Sequence, residues 1–244
     1  MRYAIISDIH ANLEALQAVL AEIDRLRVDA FYCLGDLVGY NANPNECIAI
    51  IREHGIRSVM GNHDSRAAGL EHADDFNPYA ADAIRWTRER LSPENTAFLR
   101  DLPRELQIGD LMLFHGSLHD TDRYILYRKD ILDNFLLLRQ VPGSPRLGLY
   151  GHTHVPMAVS LAGETPHLEE ESVVMLQEER SYLINPGSVG QPRDGDPRAA
   201  FCVYDGAERT VTFHRVRYDV LSCQAKVIRA GLPQRLAERL AMGR

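Results

Sequence analysis

Hydrophobic positions in the first sixty residues alternate between short continuous runs and helix-spaced stretches. Three apolar runs predict buried strands: residues 2–7, 30–34 and 56–60. Between the first two, apolar residues recur every three or four positions and predict an amphipathic helix: Leu13, Leu16, Leu20 and Ile23. Residues 44–54 predict a second helix, with Asn43 as its cap just before Pro44. This strand–helix rhythm indicates right-handed crossovers and a largely parallel sheet.

The later pattern predicts two helices over residues 78–102, interrupted near Ser92-Pro93, and a hairpin over 107–115 that turns at Gly109-Asp110. Residues 130–141 predict a helix and 147–150 a strand. From Met157 onward strand patterns dominate, at 173–177, 181–184, 200–204 and 211–217, and a helical tail follows from Asp219 with a new helix near Pro233. No repeat or linker interrupts the chain, so we expect one domain over residues 1–244 with two sheet regions.

Composition narrows the class of protein. With 244 residues, 45% hydrophobic and 25% charged, the chain is close to the average for globular proteins, which excludes wholesale disorder and fibrous repeats. No apolar run is long enough to cross a bilayer, and the N-terminal run is too short for a secretion signal, so we expect a cytoplasmic protein without a membrane partner. The four cysteines form no CxxC pair, and no disulfide framework is expected. The net charge of −7 argues against long nucleic acids as partners.

Five segments place a potential metal ligand where an apolar strand gives way to a loop. They are Asp8-Ile9-His10, Gly35-Asp36, Gly61-Asn62-His63-Asp64, His115-Gly116 and Gly151-His152-Thr153-His154, and they hold five of the ten histidines. Loops at the carboxyl ends of parallel strands meet at one crevice, so residues distant in sequence can converge there. Imidazole, carboxylate and amide ligands suit zinc, iron or manganese better than magnesium or calcium.

Each segment alone has an ordinary structural interpretation. Asp8 or Asn12 could cap the following helix, and Gly35-Asp36 is a common turn. His115 alone would be a strand-end histidine with its hydrogen bonds satisfied. Recurrence of the same design after five strands favours a shared metal site over five independent coincidences.

In that order, DxH, GD, GNHD, a strand-end histidine and GHTH resemble the motifs of the calcineurin-like metallophosphoesterases. The stretch from Asn185 to Ser188 (NPGS) resembles a later segment of the smaller bacterial members. The resemblance covers about the first three-quarters of the chain, with no departure at any ligand position. It implies an α/β fold, a four-layer sandwich of two mixed β-sheets flanked by α-helices.

The resemblance also implies a dinuclear site that binds two divalent or trivalent transition-metal ions, with Mn, Fe, Zn and Ni as candidates. One ion would be held by Asp8, His10 and His154, the other by Asn62, His115 and His152, with Asp36 bridging. A water or hydroxide shared by both ions would attack the phosphorus. His63 would not be a ligand; it would protonate the leaving oxygen or stabilise its charge. Asp64 either orients His63 or caps the following helix, and the cap is favoured.

Substrate contacts are expected in the loops around this site. The candidates are Tyr40, Asn41, Arg123, Tyr124 and Arg193. In the loop 117–129, the aromatic residues could stack a base and the arginines could hold a second phosphate. Alternatively, Tyr124 and Tyr127 pack in a local core. The NPGS segment is expected to support the histidine loops rather than to react.

These features predict an enzyme that hydrolyses a small phosphoester: a phosphodiester, a phosphomonoester or a dinucleoside polyphosphate. Ser188 is in no GxSxG motif and the chain contains no P-loop, which argues against serine-hydrolase and P-loop chemistry. The alternative is a non-catalytic binding or scaffold protein that retains the fold. The sequence carries no signal of oligomeric state.

Overall fold

Twelve strands form two six-stranded sheets in the computed structural model, which describes residues 1–244. The strands are β1 (Arg2–Ile6), β2 (Ala30–Cys33), β3 (Arg57–Ser58), β4 (Glu105–Ile108), β5 (Leu111–Phe114), β6 (Leu147–Leu149), β7 (Met157–Ala162), β8 (Thr165–Glu169), β9 (Val173–Met175), β10 (Ser181–Asn185), β11 (Ala199–Asp205) and β12 (Thr210–Val216). The first sheet has the order β3-β2-β1-β11-β12-β9, and the second has the order β4-β5-β6-β10-β7-β8. Both sheets are mixed, which confirms the expected fold class.

Eight α-helices flank the sheets: α1 (Leu13–Leu26), α2 (Pro44–Glu53), α3 (Asn62–Ala67), α4 (Pro78–Arg90), α5 (Pro93–Arg100), α6 (Arg128–Gln140), α7 (Val220–Arg229) and α8 (Gln234–Glu238), which runs into a 3₁₀ helix at Arg239–Met242. Asn12 caps α1 by accepting a hydrogen bond from the Ala15 amide at 3.1 Å, which leaves the Asp8 carboxylate free for another role. Asn43 occupies the N-cap position of α2, but its side chain makes no capping hydrogen bond. No helix is long and apolar enough to cross a membrane.

Apolar side chains on alternate faces of the strands form three layers of the hydrophobic core. In β1, Ile5 faces the second sheet, while Ala4 and Ile6 pack against α1 and α2 on the other side. On the outer side of the second sheet, Phe135 and Leu138 of α6 pack in a third apolar cluster. The layers therefore run helix, sheet, sheet, helix. All four cysteines are free and buried, as the sequence predicts.

Register aligns the ends of the strands that carry the candidate ligands. In the first sheet, Ile6 pairs with Cys33 and Cys33 with Ser58, all in parallel strands. In the second sheet, Leu113 pairs with Leu149 in the same way. The loops after β1, β2, β3, β5 and β6 therefore emerge at one edge of the sandwich.

The structure departs from the sequence pattern in three places. The third strand spans only Arg57–Ser58 instead of residues 56–60, because the chain turns towards the site directly afterwards. The edge strand β8 was not predicted, since its sequence TPHLE has one proline and little apolar alternation. In addition, the antiparallel pairing of β1 with β11 makes the first sheet mixed rather than largely parallel.

Candidate metal centre

The turns that carry the candidate ligands have unusual backbone conformations. Five non-glycine ligand positions have φ angles between 48° and 67°: Asp8, His10, Asp36, His152 and His154. Residues with side chains rarely adopt this left-handed region. Each residue held there costs about 1–3 kcal/mol of folding free energy and stays there only where its surroundings enforce it. Such strain concentrates at functional sites.

Hydrogen bonds between distant loops enforce these turns. The Asp8 amide donates to the Gly35 carbonyl at 3.0 Å, and the His10 amide donates to the Asp36 carbonyl at 2.9 Å. From the second sheet, the Gly151 amide donates to the His115 carbonyl at 2.7 Å. Gly61 lies so close to Asp36 that a Cβ at position 61 would collide with the Asp36 side chain. The ligand-bearing loops therefore fix one another.

Asp8, His10 and His154, here called the inner group, place three potential ligand atoms close together. The Nε2 atoms of His10 and His154 are 3.1 Å apart, and His154 Nε2 is 3.3 Å from a carboxylate oxygen of Asp8. The Nδ1 atom of His10 lies 3.0 Å from the Val38 carbonyl, and that of His154 lies 2.6 Å from the Gln191 carbonyl. Carbonyls only accept, so both Nδ1 atoms donate and both Nε2 lone pairs face each other. A cation among these atoms relieves that repulsion.

Asn62, His115 and His152, here called the outer group, are arranged in a similar way. His115 Nδ1 donates to the Leu34 carbonyl at 2.7 Å, and its Nε2 lies 3.2 Å from Asn62 Oδ1. The Asn62 amide donates to the Asp122 carboxylate at 3.0 Å, which turns Oδ1 towards the site. His152 Nε2 lies 3.0 Å from the Asp122 carbonyl, so its Nδ1 is the free ligand atom.

Asp36 lies between the two groups. Its Oδ2 atom is buried without a hydrogen-bond partner, 3.2 Å from His115 Nε2 and 3.6 Å from His10 Nε2. Burial lowers the pKa of His115, but the Asp36 carboxylate outweighs it and raises this pKa to about 10. The pocket therefore attracts positive charge next to Asp36. An orphaned carboxylate oxygen among imidazole nitrogens is the donor set of a transition-metal site. Three overlapping groups have ligand atoms within 4.8 Å of one another: the inner group itself, Asp36 with His115 and His152, and His10 with Asp36 and His63.

A crevice of about 260 Å³ opens over these ligands. Among the predicted substrate contacts, Tyr40, Tyr124 and Arg193 line it. The Tyr124 ring lies 4.0 Å from the His152 ring, measured between centroids, and is 42% exposed, while Tyr127 is 75% exposed. The exposure of both tyrosines contradicts the alternative that they pack in a local core.

Asn41 and Arg123 do not line the crevice, which corrects the expectation for both. Asn41 is buried, and its amide donates to the His10 carbonyl at 2.9 Å, so it supports the backbone of a ligand. Arg123 points to the surface, where it forms ion pairs with Asp130 and Asp133 of α6.

Comparison with known proteins agrees with this geometry. The sequence model of the calcineurin-like phosphoesterase superfamily domain matches residues 1–209. The chain belongs to this superfamily. It is 41% identical to the protein MJ0912 of Methanocaldococcus jannaschii, over 99% of this chain and 98% of that protein. A crystal structure of a metallophosphoesterase from Sphaerobacter thermophilus is 40% identical, with a TM-score of 0.85 over 100% of this chain and 99% of the other. The hypothetical protein PH1004 from Pyrococcus horikoshii OT3 shares the fold at 23% identity, with a TM-score of 0.81 over 100% and 98% of the two chains.

Membership in the superfamily makes His63 the residue of most chemical interest outside the ligand groups. His63 lines the crevice, and its ring lies 4.5 Å from the Tyr40 ring and 4.7 Å from the Phe76 ring, measured between centroids. Its Nδ1 is buried without a partner, beside Gly39, where any Cβ would collide with the imidazole. Burial lowers the pKa of His63 to about 4 against the opposing effect of Asp36, so the ring is neutral near pH 7.

Two segments support the candidate metal centre, and both match their predicted roles. Asp64 accepts a hydrogen bond from the Gly61 amide at 3.0 Å, which caps α3, and it also accepts one from the Leu37 amide at 2.8 Å. In the NPGS segment, the Asn185 amide donates to the Gly151 carbonyl at 2.7 Å, and the Ser188 hydroxyl donates to the Asp8 carbonyl at 2.8 Å.

Three residues at the site were missed by sequence reasoning: Arg66, Phe76 and Asp122. Asp122 holds two members of the outer group, and it forms an ion pair with the buried Arg66 at 3.0 Å. The Arg66 guanidinium also lies over the Phe76 ring, 4.3 Å from its centre. A signal for Arg66 was present, since it lies four residues after Asn62 on one face of α3. Phe76 and Asp122 are in loops without periodicity, where the sequence gives no such signal.

Proposed function

We propose that this chain is a dinuclear metal-dependent phosphoesterase, with one transition-metal ion held by the inner group, a second held by the outer group, and Asp36 between them. The observation that carries this proposal is the buried Oδ2 atom of Asp36, which has no hydrogen-bond partner and has histidine nitrogens of both groups within 3.6 Å. A shared carboxylate offsets the repulsion between two neighbouring cations.

Nitrogen and oxygen donors of this kind suit Mn, Fe, Zn or Ni. When bound, the two ions would supply Lewis-acid polarisation of the phosphoryl group and activation of the attacking water. The rest of the chemistry falls to the chain itself. The inner and outer groups would hold the ions at the crevice floor, and the hydrogen-bonded loops keep that floor rigid.

His63 has the position of a hydrogen-bond donor to the leaving group. Since its Nδ1 atom is the buried one, Nε2 is left to face the crevice. From there the neutral ring can donate a hydrogen bond to the leaving-group oxygen and stabilise its developing charge. Its packing against Tyr40 and Phe76 limits the ring to few orientations.

The crevice walls indicate a small substrate: a phosphodiester, a phosphomonoester or a dinucleoside polyphosphate. Arg193 offers a guanidinium to phosphoryl oxygens, and the exposed ring of Tyr124 offers a stacking surface for a planar leaving group. Asp75 and Asp122 also line the crevice. Carboxylates there and the net charge of −7 disfavour a long polyanion. The four free cysteines suit a cytoplasmic location.

The non-catalytic scaffold alternative has less support. A scaffold has no need for a buried ligand set or for a histidine beside it, yet all seven ligand positions and His63 retain the residues of the motif. The strained turns at five of these positions also indicate selection for a site.

Activity with defined metals tests the proposal. The purified protein is stripped with a chelator, reloaded separately with Mn, Fe, Zn or Ni, and assayed with bis(p-nitrophenyl) phosphate and p-nitrophenyl phosphate. We expect two ions per chain, loss of hydrolysis on stripping and recovery on reloading. A protein that binds two ions and hydrolyses neither ester with any of the metals would contradict the proposal and support the scaffold alternative.

A further inference from the structure

The C-terminal segment, residues 219–244, lies beyond the part of the chain that the superfamily model matches, yet it packs against a residue of the crevice wall. Val227, Leu232 and Leu236 form one buried cluster with Tyr40, a residue of the crevice wall. At its end, the Gly243 carbonyl accepts a hydrogen bond from the Gly195 amide at 3.0 Å, two residues after Arg193. The segment therefore braces the two loops that carry Tyr40 and Arg193.

This segment also brings a second guanidinium, that of Arg239, close to the Tyr40 ring. The guanidinium carbons of Arg193 and Arg239 lie 5.9 Å and 6.0 Å from the centre of the Tyr40 ring. Arg193 donates to the Gln191 side chain at 3.0 Å, and its Nε is buried without a partner. Arg239 donates from Nε to the carbonyl of Arg244. Neither guanidinium has an aspartate or glutamate carboxylate within ion-pair distance.

Another arginine near the site, Arg66, has the carboxylate side-chain partners that Arg193 and Arg239 lack. Arg66 is surrounded by three carboxylates: Glu71, Asp75 and Asp122. At Tyr40, by contrast, two guanidiniums lie without an aspartate or glutamate partner, and burial followed by the charge of Arg193 lowers the pKa of Arg239. Partly buried like charges repel and lose hydration, so a bound anion would stabilise this arrangement.

We propose that Arg193, Tyr40 and Arg239 form a subsite for a second phosphate group of the substrate. This inference rests on the proposed phosphoesterase function and narrows its substrate class to compounds that carry a phosphate besides the one being hydrolysed. Guanidinium groups bind phosphate through paired charge-assisted hydrogen bonds, and the Tyr40 hydroxyl, 3.5 Å from Arg193 Nη2, adds a neutral donor. The C-terminal segment is then the element that selects the substrate.

Two ligands that differ by one phosphate test the subsite: adenosine 5′-monophosphate and adenosine 3′,5′-bisphosphate. Their binding to the metal-loaded protein is measured by isothermal titration calorimetry. We expect the bisphosphate to bind about tenfold more tightly, the size of one charge-assisted contact. Arg239→Ala should reduce this preference to about twofold and leave the affinity for the monophosphate nearly unchanged. Arg239→Lys, which retains the charge, should give an intermediate preference for the bisphosphate. That result would show that the C-terminal segment still packs against the rest of the chain.

Arg235→Ala is the matched control, because Arg235 is on the same segment but lies over the Tyr79 ring at 5.5 Å. It removes the same charge and should keep the wild-type preference. The subsite is refuted if Arg239→Ala keeps the wild-type preference, or if Arg235→Ala reduces it equally. Binding needs no turnover, so the two proposals fail separately: tight bisphosphate binding without hydrolysis of any ester overturns the enzyme and leaves the subsite standing.

Discussion

The inner and outer groups contain similar ligands but are held in place by different means. In the inner group, the second nitrogen of each histidine donates to a backbone carbonyl, Val38 for His10 and Gln191 for His154. In the outer group, His115 and His152 are also held by backbone carbonyls, those of Leu34 and Asp122, while the Asn62 amide depends on the Asp122 side chain. The Asp122 side chain is 40% exposed and belongs to a surface loop.

This difference has a physical consequence for metal binding. Carbonyls fixed by neighbouring strands and turns cannot rotate away, so the inner group is preorganised by the fold itself. The outer group depends on one loop, which Arg66 holds through an ion pair with Asp122. We therefore expect the inner position to bind its ion more tightly, and a chelator to remove the outer ion first.

The largest effect is expected from Asp36→Ala. This substitution should affect the inner and outer groups alike, because Asp36 lies between them. Without this carboxylate, two cations would repel each other across the site, and both positions should lose affinity. We expect kcat/KM for bis(p-nitrophenyl) phosphate to fall on the order of a thousandfold, equivalent to about 4 kcal/mol. Metal content per chain is measured by mass spectrometry. Retention of two ions with normal affinity would show that Asp36 does not bridge them.

His63→Ala should separate chemistry from metal binding in both groups. Loss of one preorganised hydrogen-bond donor to a developing charge typically lowers turnover by about 10²–10³-fold. Because His63 is not assigned to either group, we expect kcat to fall within that range while both ions remain bound. Turnover and metal content are measured on the same preparation. Full activity in the variant would remove His63 from the mechanism, and loss of an ion would make it a ligand.

Asp122→Ala should sharpen the comparison, since it removes a support of the outer group alone. A residue that orients a metal ligand typically contributes about 10–100-fold in metal affinity. We expect the outer ion to bind more weakly by that factor and the inner ion to be unaffected, so that a metal titration shows two separated steps. Asp75→Asn is the matched control, because Asp75 also pairs with Arg66 but does not touch Asn62. Equal weakening of both steps would refute the division.

The sequence predicts the ligands of the inner group better than the residues that support the outer group. Every ligand follows an apolar strand, and parallel strands bring such positions to one edge, so the motifs at Asp8, Asp36 and His152 were identifiable from pattern alone. The same holds for the sheet and helix layers, whose periodicity is strong. Supports such as Asp122 depend on the path of a loop, which no periodicity specifies. Asn41 and Arg123 were misplaced for that reason: their neighbours along the chain indicated the crevice, but their hydrogen bonds lie elsewhere.

The smallest effect is expected from Ser188→Ala, on the inner side. The Ser188 hydroxyl donates to the Asp8 carbonyl and accepts from the Gln191 amide, and both contacts are buried. Their loss should lower the free energy of unfolding by about 1–3 kcal/mol, and Tm by a few degrees. Because several other backbone hydrogen bonds hold the same turn, including that from Gly190 to Asp8, we expect activity to change less than about threefold. Ser144→Ala removes an exposed hydroxyl contact and is the control, with a change of about 0.5 kcal/mol or less. If Ser188→Ala instead releases the inner ion, that group depends on a single side chain as much as the outer group does, and the contrast between them disappears.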